Sequence, residues 1–463
     1  MISQADTLGV FQVESRAQTQ MLPRLQPRCF NDLIVAISLI RPGPIQGNMV
    51  HPYLRRRLGL EPVTYLHPDL EPALAETLGV ILFQEQVLKV ARDLAGFSPG
   101  QGEQLRRALG AKHAGEAIER FREAFLTGAG ARGVPADIAE TVFAQLRAFG
   151  GYAFAKSHAA AFVVLVYQSA WLKKYHPAAF LVALLNNQPM GFWNPAVLVG
   201  DARRHGLPIW PVDIHRSQAR CGVEAGGIRL GFNYVAGLGE DASTRLIAAR
   251  EIGPFQNLSD FCRRTRLPRR IIENLIVIGA MDRWGLPRRK LLWELGQLRY
   301  QTEELELVFP DDGLTWPPFS PTEAMTLEYE VLGLLTGDHI MTLYRPRLAK
   351  QGILGTQDLA KCANGQRIRL AGLLVVHQAP PTAQGFHFLT LEDEAGLVDV
   401  ILRPQLVTHV KKLPSWQGYS LNDQTLVLVE GIVQQDGNTT SILASTIRPL
   451  RTSASAGSAA NSD

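Results

Sequence analysis

The sequence predicts a multidomain, mainly α-helical protein that ends in a small five-stranded β-barrel. Three observations carry that prediction. Apolar residues recur at helical spacing between about residues 72 and 186, as in Leu78, Ile81, Leu82, Val87, Leu88 and Val90. A glycine turn, Gly237-Leu-Gly239, leads into an amphipathic helix and then a strongly basic segment. Residues 366 to 450 switch to period-two alternation. At 463 residues the chain is longer than the roughly 250 to 300 at which a single hydrophobic core stops growing, so several modules are expected.

Composition narrows the class. With 46% hydrophobic and 19% charged residues, most of the chain can bury a core and long disorder is not expected. The formal charge is only +4, so an anionic partner has to be met by clustered cations. Cys29, Cys221, Cys262 and Cys362 are scattered without a C-x-x-C pair, which fits neither a disulfide scaffold nor a zinc site and points to a reducing compartment. The histidines form no ligand cluster, so no metal site is expected in this chain. The N-terminus lacks a basic region followed by an apolar core. The longest apolar run, residues 159–167, falls short of the roughly 20 residues that span a bilayer, so a soluble, unexported protein with no membrane partner is expected.

In chain order, residues 7–15 are ambiguous between strand and helix, and Cys29 to Leu39 predicts a helix broken by the rigid Arg41-Pro-Gly-Pro44 turn. Arg55-Arg56-Arg57 suits either a solvated face or a phosphate backbone. Gln104 to Lys112 sets Arg106 and Arg107 near Lys112, with Gly110 as a helix stop. Gly150-Gly-Tyr-Ala-Phe-Ala-Lys-Ser-His158 then places a cation, a hydroxyl and an imidazole at the mouth of a buried segment. There they could hold a phosphate on free helix N–H groups, or simply start an ordinary helix with His158 satisfied in the core.

From about residue 190 the texture turns to Pro-punctuated turns and short strands such as Gly206 to Ile214. Gly237-Leu-Gly239 before the helix of Ala242 to Glu251 resembles a helix-hairpin-helix, whose turn N–H groups hold DNA phosphates without reading bases. Residues 255–292 follow with nine basic residues against three acidic ones, a net of +6 that exceeds the charge of the whole chain. Arg263, Arg264, Arg269 and Arg270 lead it, and the helix Ile271 to Ile278 with its Gly279 stop suggests a second hairpin. Duplex backbone binding is the better reading of this segment.

Residues 300 to 345 read as a linker, acidic and Pro-rich to about 325, in which Leu305 to Phe309 is either a docking peptide or a loop tethered to its own domain. The strands expected at 367–376, 386–391, 397–402, 425–433 and 440–447, with a helix near 406–413, fit an OB-type barrel over 346–450. Its strand face offers Phe386 or His387 to single-stranded nucleic acid, with plain barrel packing the competing reading. Glu392-Asp393-Glu394 reads as solvated turn chemistry. The Ser/Ala-rich tail, 451–463, is expected to be disordered.

Taken together, Phe11-Gln-Val-Glu-Ser15, Arg41-Pro-Gly-Pro44, Gln84-Glu-Gln86, Leu105-Arg-Arg-Ala-Leu-Gly110, Gly151-Tyr-Ala-Phe-Ala-Lys-Ser-His158 and Trp171-Leu-Lys173 resemble, in order, the bacterial C-family DNA polymerases, the α subunit of polymerase III and its relatives. The resemblance runs from about residue 5 to 450. Leu184 to Phe192 and Val212-Asp-Ile214 look like the error-prone, damage-associated branch, whereas Lys156 before Ser157-His158 is replicative-looking. No clear clamp-binding peptide of the replicative kind stands in the linker, which leaves the sliding clamp open as a partner.

This resemblance implies polymerase fingers over residues 1–210, tandem helix-hairpin-helix elements over 211–299, the linker, and the OB barrel. Arg106, Arg107, Lys112, Lys156 and His158, with Tyr152 beside them, match positions that face the incoming dNTP. Gly237, Gly239, Arg263, Arg264, Arg269 and Arg270 would hold the primer-template duplex. The implied activity is error-prone DNA-directed DNA synthesis in damage-induced mutagenesis and translesion synthesis, in the cytoplasm at the nucleoid, alongside other mutagenesis proteins. A replicative α-type fragment and a non-catalytic DNA-binding remnant are the alternatives. Family members hold two Mg²⁺ ions on palm aspartates that lie upstream of the point where Met1 falls. No D-x-D pair occurs in this chain, and Asp6, Asp69, Asp93 and Asp201 are isolated. The expectation is therefore a C-terminal portion with no catalytic carboxylates of its own, inactive without a palm-containing polypeptide.

Overall fold

The computed structural model describes residues 1–40, 50–111, 113–149, 154–298, 314–380, 383–410, 425–436 and 439–450. The Arg41-Pro-Gly-Pro44 turn, Lys112, Tyr152 with its neighbours Gly150, Gly151 and Ala153, the Leu305 to Phe309 peptide and the tail beyond Leu450 lie outside them. The chain divides into two units, Met1–Tyr175 and His176–Asp463. Among the described residues no helix is long and apolar enough to cross a membrane.

The first unit is helical. Residues 7–15 settle as turns, neither strand nor helix. Ser15 Oγ accepts the Gln18 N–H at 3.4 Å and starts α1 (Arg16–Leu25). In α2 (Phe30–Leu39) every residue from Asp32 to Leu39 is buried. Asp32 fixes its start by accepting the N–H groups of Arg28 at 2.7 Å and Cys29 at 3.3 Å and the Arg57 guanidinium at 2.6 Å. Burial pushes the Asp32 carboxyl up, but these bonds outweigh it and hold it below its ordinary range. The arginine run ends α3 (Val50–Arg57), and each member has a partner within the chain. Arg55 meets Glu61 at 3.2 Å, Arg56 donates to the Leu78 carbonyl at 2.6 Å, and Arg57 holds Asp32. Arg56 and Arg57 are committed to the fold, whereas Arg55 stays 57% exposed beside Glu61.

Beyond short helical turns, the remaining longer helices of this unit are α4 (Gln84–Ala95), α5 (Pro99–Leu109), α6 (Ala114–Glu119), α7 (Arg122–Ala131), α8 (Ala136–Ala148) and α9 (Lys156–Tyr175). Val87, Val90, Leu94, Phe125, Phe143 and Leu146 fill its core. α7 lies on α4 so closely that a Cβ at Gly128 would stand 2.1 Å from the Ala95 carbonyl oxygen, which explains the glycine. α9 buries only Ala159, Val163, Val166 and Ala170, a small-residue stripe on the helix that packs against α2. Leu165, Tyr167, Trp171, Leu172 and Tyr175 stay exposed. The buried segment expected after His158 is thus a single stripe.

The second unit begins with α10 (Pro177–Asn186) and α11 (Pro195–Arg204), then a small sheet of β1 (Ile209–Trp210), β2 (Gly222–Glu224) and β3 (Gly227–Arg229) in the order β1-β3-β2. The hairpin helices follow: α12 (Glu240–Glu251), α13 (Leu258–Thr265), α14 (Arg269–Val277) and α15 (Arg288–Gln297). Two further helices, α16 (Pro321–Leu332) and α17 (Met341–Lys350), occupy part of the stretch read as linker. The start of α16 is a capping box, with the Glu323 N–H donating to Ser320 Oγ at 3.2 Å and the Ser320 N–H donating to Glu323 Oε2 at 2.8 Å.

The barrel comprises β4 (Arg367–Gln378), β5 (His387–Glu392), β6 (Leu397–Leu402), β7 (Leu426–Asp436) and β8 (Thr439–Pro449), with α18 (Pro404–Val410) after β6. It closes in the order β4-β5-β6-β8-β7, with β6 and β8 parallel and the other pairs antiparallel. Alternate residues such as Leu389, Leu391, Val398, Val400 and Leu402 point inward. The acidic turn after β5 differs from expectation. Glu392 and Asp393 are buried, not solvated. Arg204 of α11 meets Glu392 at 2.8 Å, Arg345 of α17 meets Asp393 at 2.9 Å and also pairs with Glu394, and Asp393 accepts the Thr356 N–H at 2.7 Å. These carboxylates tie the barrel to α11 and α17.

Candidate nucleotide and nucleic-acid interfaces

In the first unit the site builds from the start of α9. The Gln84 N–H donates to the Phe154 carbonyl at 2.9 Å, and the Lys156 N–H donates to both Glu85 carboxylate oxygens at 3.0 Å. Gln84-Glu85-Gln86 therefore zips the start of α4 to the entry of α9. Gln86 is buried and structural, its Oε1 accepting the Leu82 and Phe83 N–H groups at 2.9 and 3.0 Å. A phosphate was one expectation at this helix start. At the Lys156 N–H a carboxylate of the chain itself already sits, so what Lys156 can offer an incoming anion is its ammonium. That Nζ lies 2.5 Å from Glu76 Oε2 and 5.8 Å from the Phe83 ring centre.

His158 is exposed, which removes the reading of it as a core histidine. Its ring stands edge-on to Phe154 at 5.1 Å and tilted to Phe162 at 4.2 Å, and Phe162 continues to Phe11 at 5.4 Å. This aromatic ladder went unnoticed in the sequence, although the i, i+4 spacing of Phe154, His158 and Phe162 signals it. At the end of α5, Arg106 and Arg107 both reach Glu103, at 2.7 and 3.1 Å. Hydrogen bonds from Arg106 and then Arg107 hold the Glu103 carboxyl down at about 2, and Glu103 in turn raises Arg106. Both guanidiniums remain exposed to solvent.

In the second unit, Gly237 takes φ +81° and Gly239 caps α12, whose first turn carries Glu240 and Asp241. The four arginines named from sequence split by environment. Arg263 is 66% exposed beside Asp260, and Arg269 is 50% exposed beside Glu273. Arg270 is exposed, with no ion pair or hydrogen bond among the described residues. Arg264 is only 19% exposed. Its guanidinium lies 4.6 Å over Phe255 and donates to the carbonyls of Ala249, Gly253 (2.7 Å) and Pro254 (3.3 Å) and to Asp260 at 3.0 Å. It ends α12 and holds the following turn. Arg288 is likewise spent on Asp282 at 2.6 Å and the Val277 carbonyl at 2.9 Å. Arg266 and Arg283, which sequence reasoning counted in the basic segment but did not name as site residues, are exposed and join the outward cations. On the barrel, His387 Nδ1 lies 2.7 Å from His377 Nε2 on the neighbouring strand, with ring centres 4.9 Å apart. His377 was a partner that sequence did not single out.

Comparison with known proteins adds to this geometry. Residues 1–133 match the family model described as the bacterial DNA polymerase III alpha subunit finger domain, and residues 206–291 match a helix-hairpin-helix motif. Error-prone DNA polymerases are similar over nearly the whole chain. That of Pseudomonas aeruginosa is 41% identical over 97% of this chain and 44% of its own length, and that of Alkalilimnicola ehrlichii is 43% identical over 96% and 43%. The Bordetella bronchiseptica protein is 42% identical over 94% and 41%. The chain thus spans less than half the length of these relatives. Among solved structures, a Pyrococcus horikoshii asparaginyl-tRNA synthetase is similar over 22% of the chain at 19% identity and a TM-score of 0.17, a likeness too slight to support any argument.

Proposed function

The chain belongs to the bacterial C-family of DNA polymerases, the family of the DNA polymerase III alpha subunit, and on that premise we propose that it supplies the dNTP- and DNA-binding part of an error-prone DNA-directed DNA polymerase. Synthesis across damaged template, in the cytoplasm and at the nucleoid, is the setting in which we place it. The observation that supports the reading is a set of solvent-exposed cations in each unit, Arg106, Arg107 and the Lys156 ammonium in the first and Arg263, Arg269 and Arg270 in the second. Arg106, Arg107 and Lys156, with Lys112, neutralise the triphosphate of an incoming nucleotide, while the His158 ladder offers ring faces to its base, a role we also assign to Tyr152. The N–H groups of Gly237 and Gly239 and the side chains of Arg263, Arg269 and Arg270 hold phosphates of the primer-template duplex without reading sequence. Arg264 serves that surface from beneath, by fixing the end of α12.

Nucleotidyl transfer in this family also needs divalent metal, Mg²⁺ in our reading, on paired carboxylates. The carboxylates beside the candidate nucleotide residues do not fit that task. Glu85 is spent on a backbone N–H, Glu76 on Lys156 and Glu103 on two arginines. We therefore derive no step through a metal at these residues, and propose that a palm-bearing polypeptide supplies the catalytic carboxylates. Primer extension tests this. The purified chain alone should not extend a primer, and adding a palm-bearing fragment of a relative should restore extension. Extension by the chain alone would overturn the assignment. Binding of a fluorescent primer-template should weaken on reversing charge at Arg263, Arg269 and Arg270 together, and unchanged binding would remove the hairpin surface from the reading.

A further inference from the structure

Lys156 is neutralised from a distance in sequence. Its partner Glu76 lies 80 residues earlier, in the short helical turn Ala75–Thr77, and the two side chains are 37% and 41% exposed. No helix periodicity brings this pair together, unlike Glu103 with Arg106 and Arg107, which is the i, i+3 and i, i+4 pairing found on any helix surface. Glu85 already satisfies the backbone N–H of Lys156, so Glu76 is not needed to cap α9. What Glu76 contributes is an acceptor-only anion at hydrogen-bonding distance from the one group of Lys156 still able to meet a phosphate oxygen.

We infer that Glu76 is a displaceable counter-anion, which holds the Lys156 ammonium until a nucleotide triphosphate takes its place. This inference rests on the proposed nucleotide-binding role of Lys156 and deepens it by naming the group that competes with substrate. A half-exposed pair is easily exchanged for a polyphosphate carrying several negative charges, because the pair itself is held weakly in water. Glu76 therefore sets a threshold. A ligand that brings phosphate to Lys156 must outcompete the carboxylate, and a ligand without phosphate meets no such competitor.

The test measures equilibrium binding of dATP, tripolyphosphate and deoxyadenosine to the full chain and to its E76Q, K156A and E76Q/K156A variants at low salt. An exposed pair is worth up to about 1 kcal/mol, so E76Q should tighten dATP and tripolyphosphate binding by about two- to fivefold. It should leave deoxyadenosine unchanged, lose its effect in the K156A background, and lose it again at high salt, where exposed charges are screened. If K156A binds tripolyphosphate as well as the parent chain, the nucleotide reading of Lys156 fails. If K156A weakens binding while E76Q leaves it unchanged or weaker, that reading stands and the counter-anion role of Glu76 is overturned. Thermal melting of E76Q that coincides with the parent confirms that the comparison is made on folded protein, and E76D serves as the charge-retaining control that should bind like the parent.

Discussion

Replacing Glu392 with glutamine isolates one buried ionisation and gives stability a pH dependence of known sign. Glu392 lies against α11, where a Cβ at Gly200 would come within 2.6 Å of its Oε1, and Arg204 meets it at 2.8 Å. Arg203, Asp201 and His339 also face it, the last at 4.0 Å. Burial pushes its carboxyl from 4.5 up to about 7, outweighing the lowering by Arg204. A folded-state value above the unfolded one means that this group's stabilisation is fully present below about pH 4.5 and is lost as pH rises through about 7. Each pH unit across that window is worth about 1.4 kcal/mol, which bounds the loss at about 3 kcal/mol. E392Q cannot ionise, keeps an acceptor for Arg204, and should therefore gain up to about 3 kcal/mol relative to the parent between pH 4.5 and pH 8. His339 has the opposite sign. Burial and then Arg203 lower it from 6.5 to about 4, so its contribution is present above pH 6.5 and lost as pH falls through about 4, in both proteins. Urea melts of parent and variant at pH 5 and pH 8, followed by circular dichroism, give the difference of differences. A gap between the two proteins that does not change with pH would refute the claim that Glu392 is buried with its charge penalised.

Two substitutions probe the helical parts. Gly128→Ala should destabilise the first unit by about 1 to 3 kcal/mol, since the new methyl meets the Ala95 carbonyl and α4 and α7 must separate; an unchanged thermal midpoint would contradict that close approach. Arg264→Ala should cost about 3 kcal/mol by leaving carbonyls at the end of α12 without their charged donor, whereas Arg270→Ala should stay within about 0.5 kcal/mol of the parent. If both variants melt alike, the division between supporting and outward arginines is wrong.

Much of the fold was legible wherever one short-range period decided the outcome. The barrel strands were located by alternation such as that of β6, where Val398, Val400 and Leu402 are buried and the residues between them are not, because a barrel wall turns every second residue inward. The glycine turn before α12 was legible because left-handed backbone at Gly237 needs glycine. What stayed hidden depends on partners remote in sequence. Glu392 and Asp393 look like turn residues until Arg204 and Arg345 arrive from other helices. Apolar composition in α9 says nothing about which stripe meets α2, so Leu165 and Tyr167, in the apolar run after His158, are exposed. α16 was missed although its Ser320-Pro-Thr-Glu323 box is a legible start signal, because prolines and acids around it suggested a linker. Among the site residues, charge type could be read from the sequence, but whether a charge faces outward could not. Arg263 and Arg264 are neighbours in sequence, one facing solvent and the other largely buried.

That last distinction has a measurable consequence for how strongly the hairpin region can respond to salt. The segment 255–292 holds nine cations, and if each neutralised one duplex phosphate the slope of log affinity against log salt would approach about −8. Arg264 and Arg288 are consumed by backbone carbonyls and carboxylates, Arg289 by Glu323 at 2.9 Å and the Phe319 ring, and Lys290 is half-buried. Five remain outward: Arg263, Arg266, Arg269, Arg270 and Arg283. Five phosphate contacts give a limiting slope of about −4 to −5 for this surface. Fluorescence anisotropy of a duplex titrated with the chain over a range of salt measures the slope, and each outward arginine replaced by alanine should reduce it by about one while leaving sequence preference untouched. Equal reductions from Arg264→Ala, in protein shown to be folded, would mean that its carbonyl contacts open when DNA binds and that all the charge in the segment is available. An unchanged Arg264→Ala slope would instead show that the basic segment divides its cations between holding its own helices and holding phosphate.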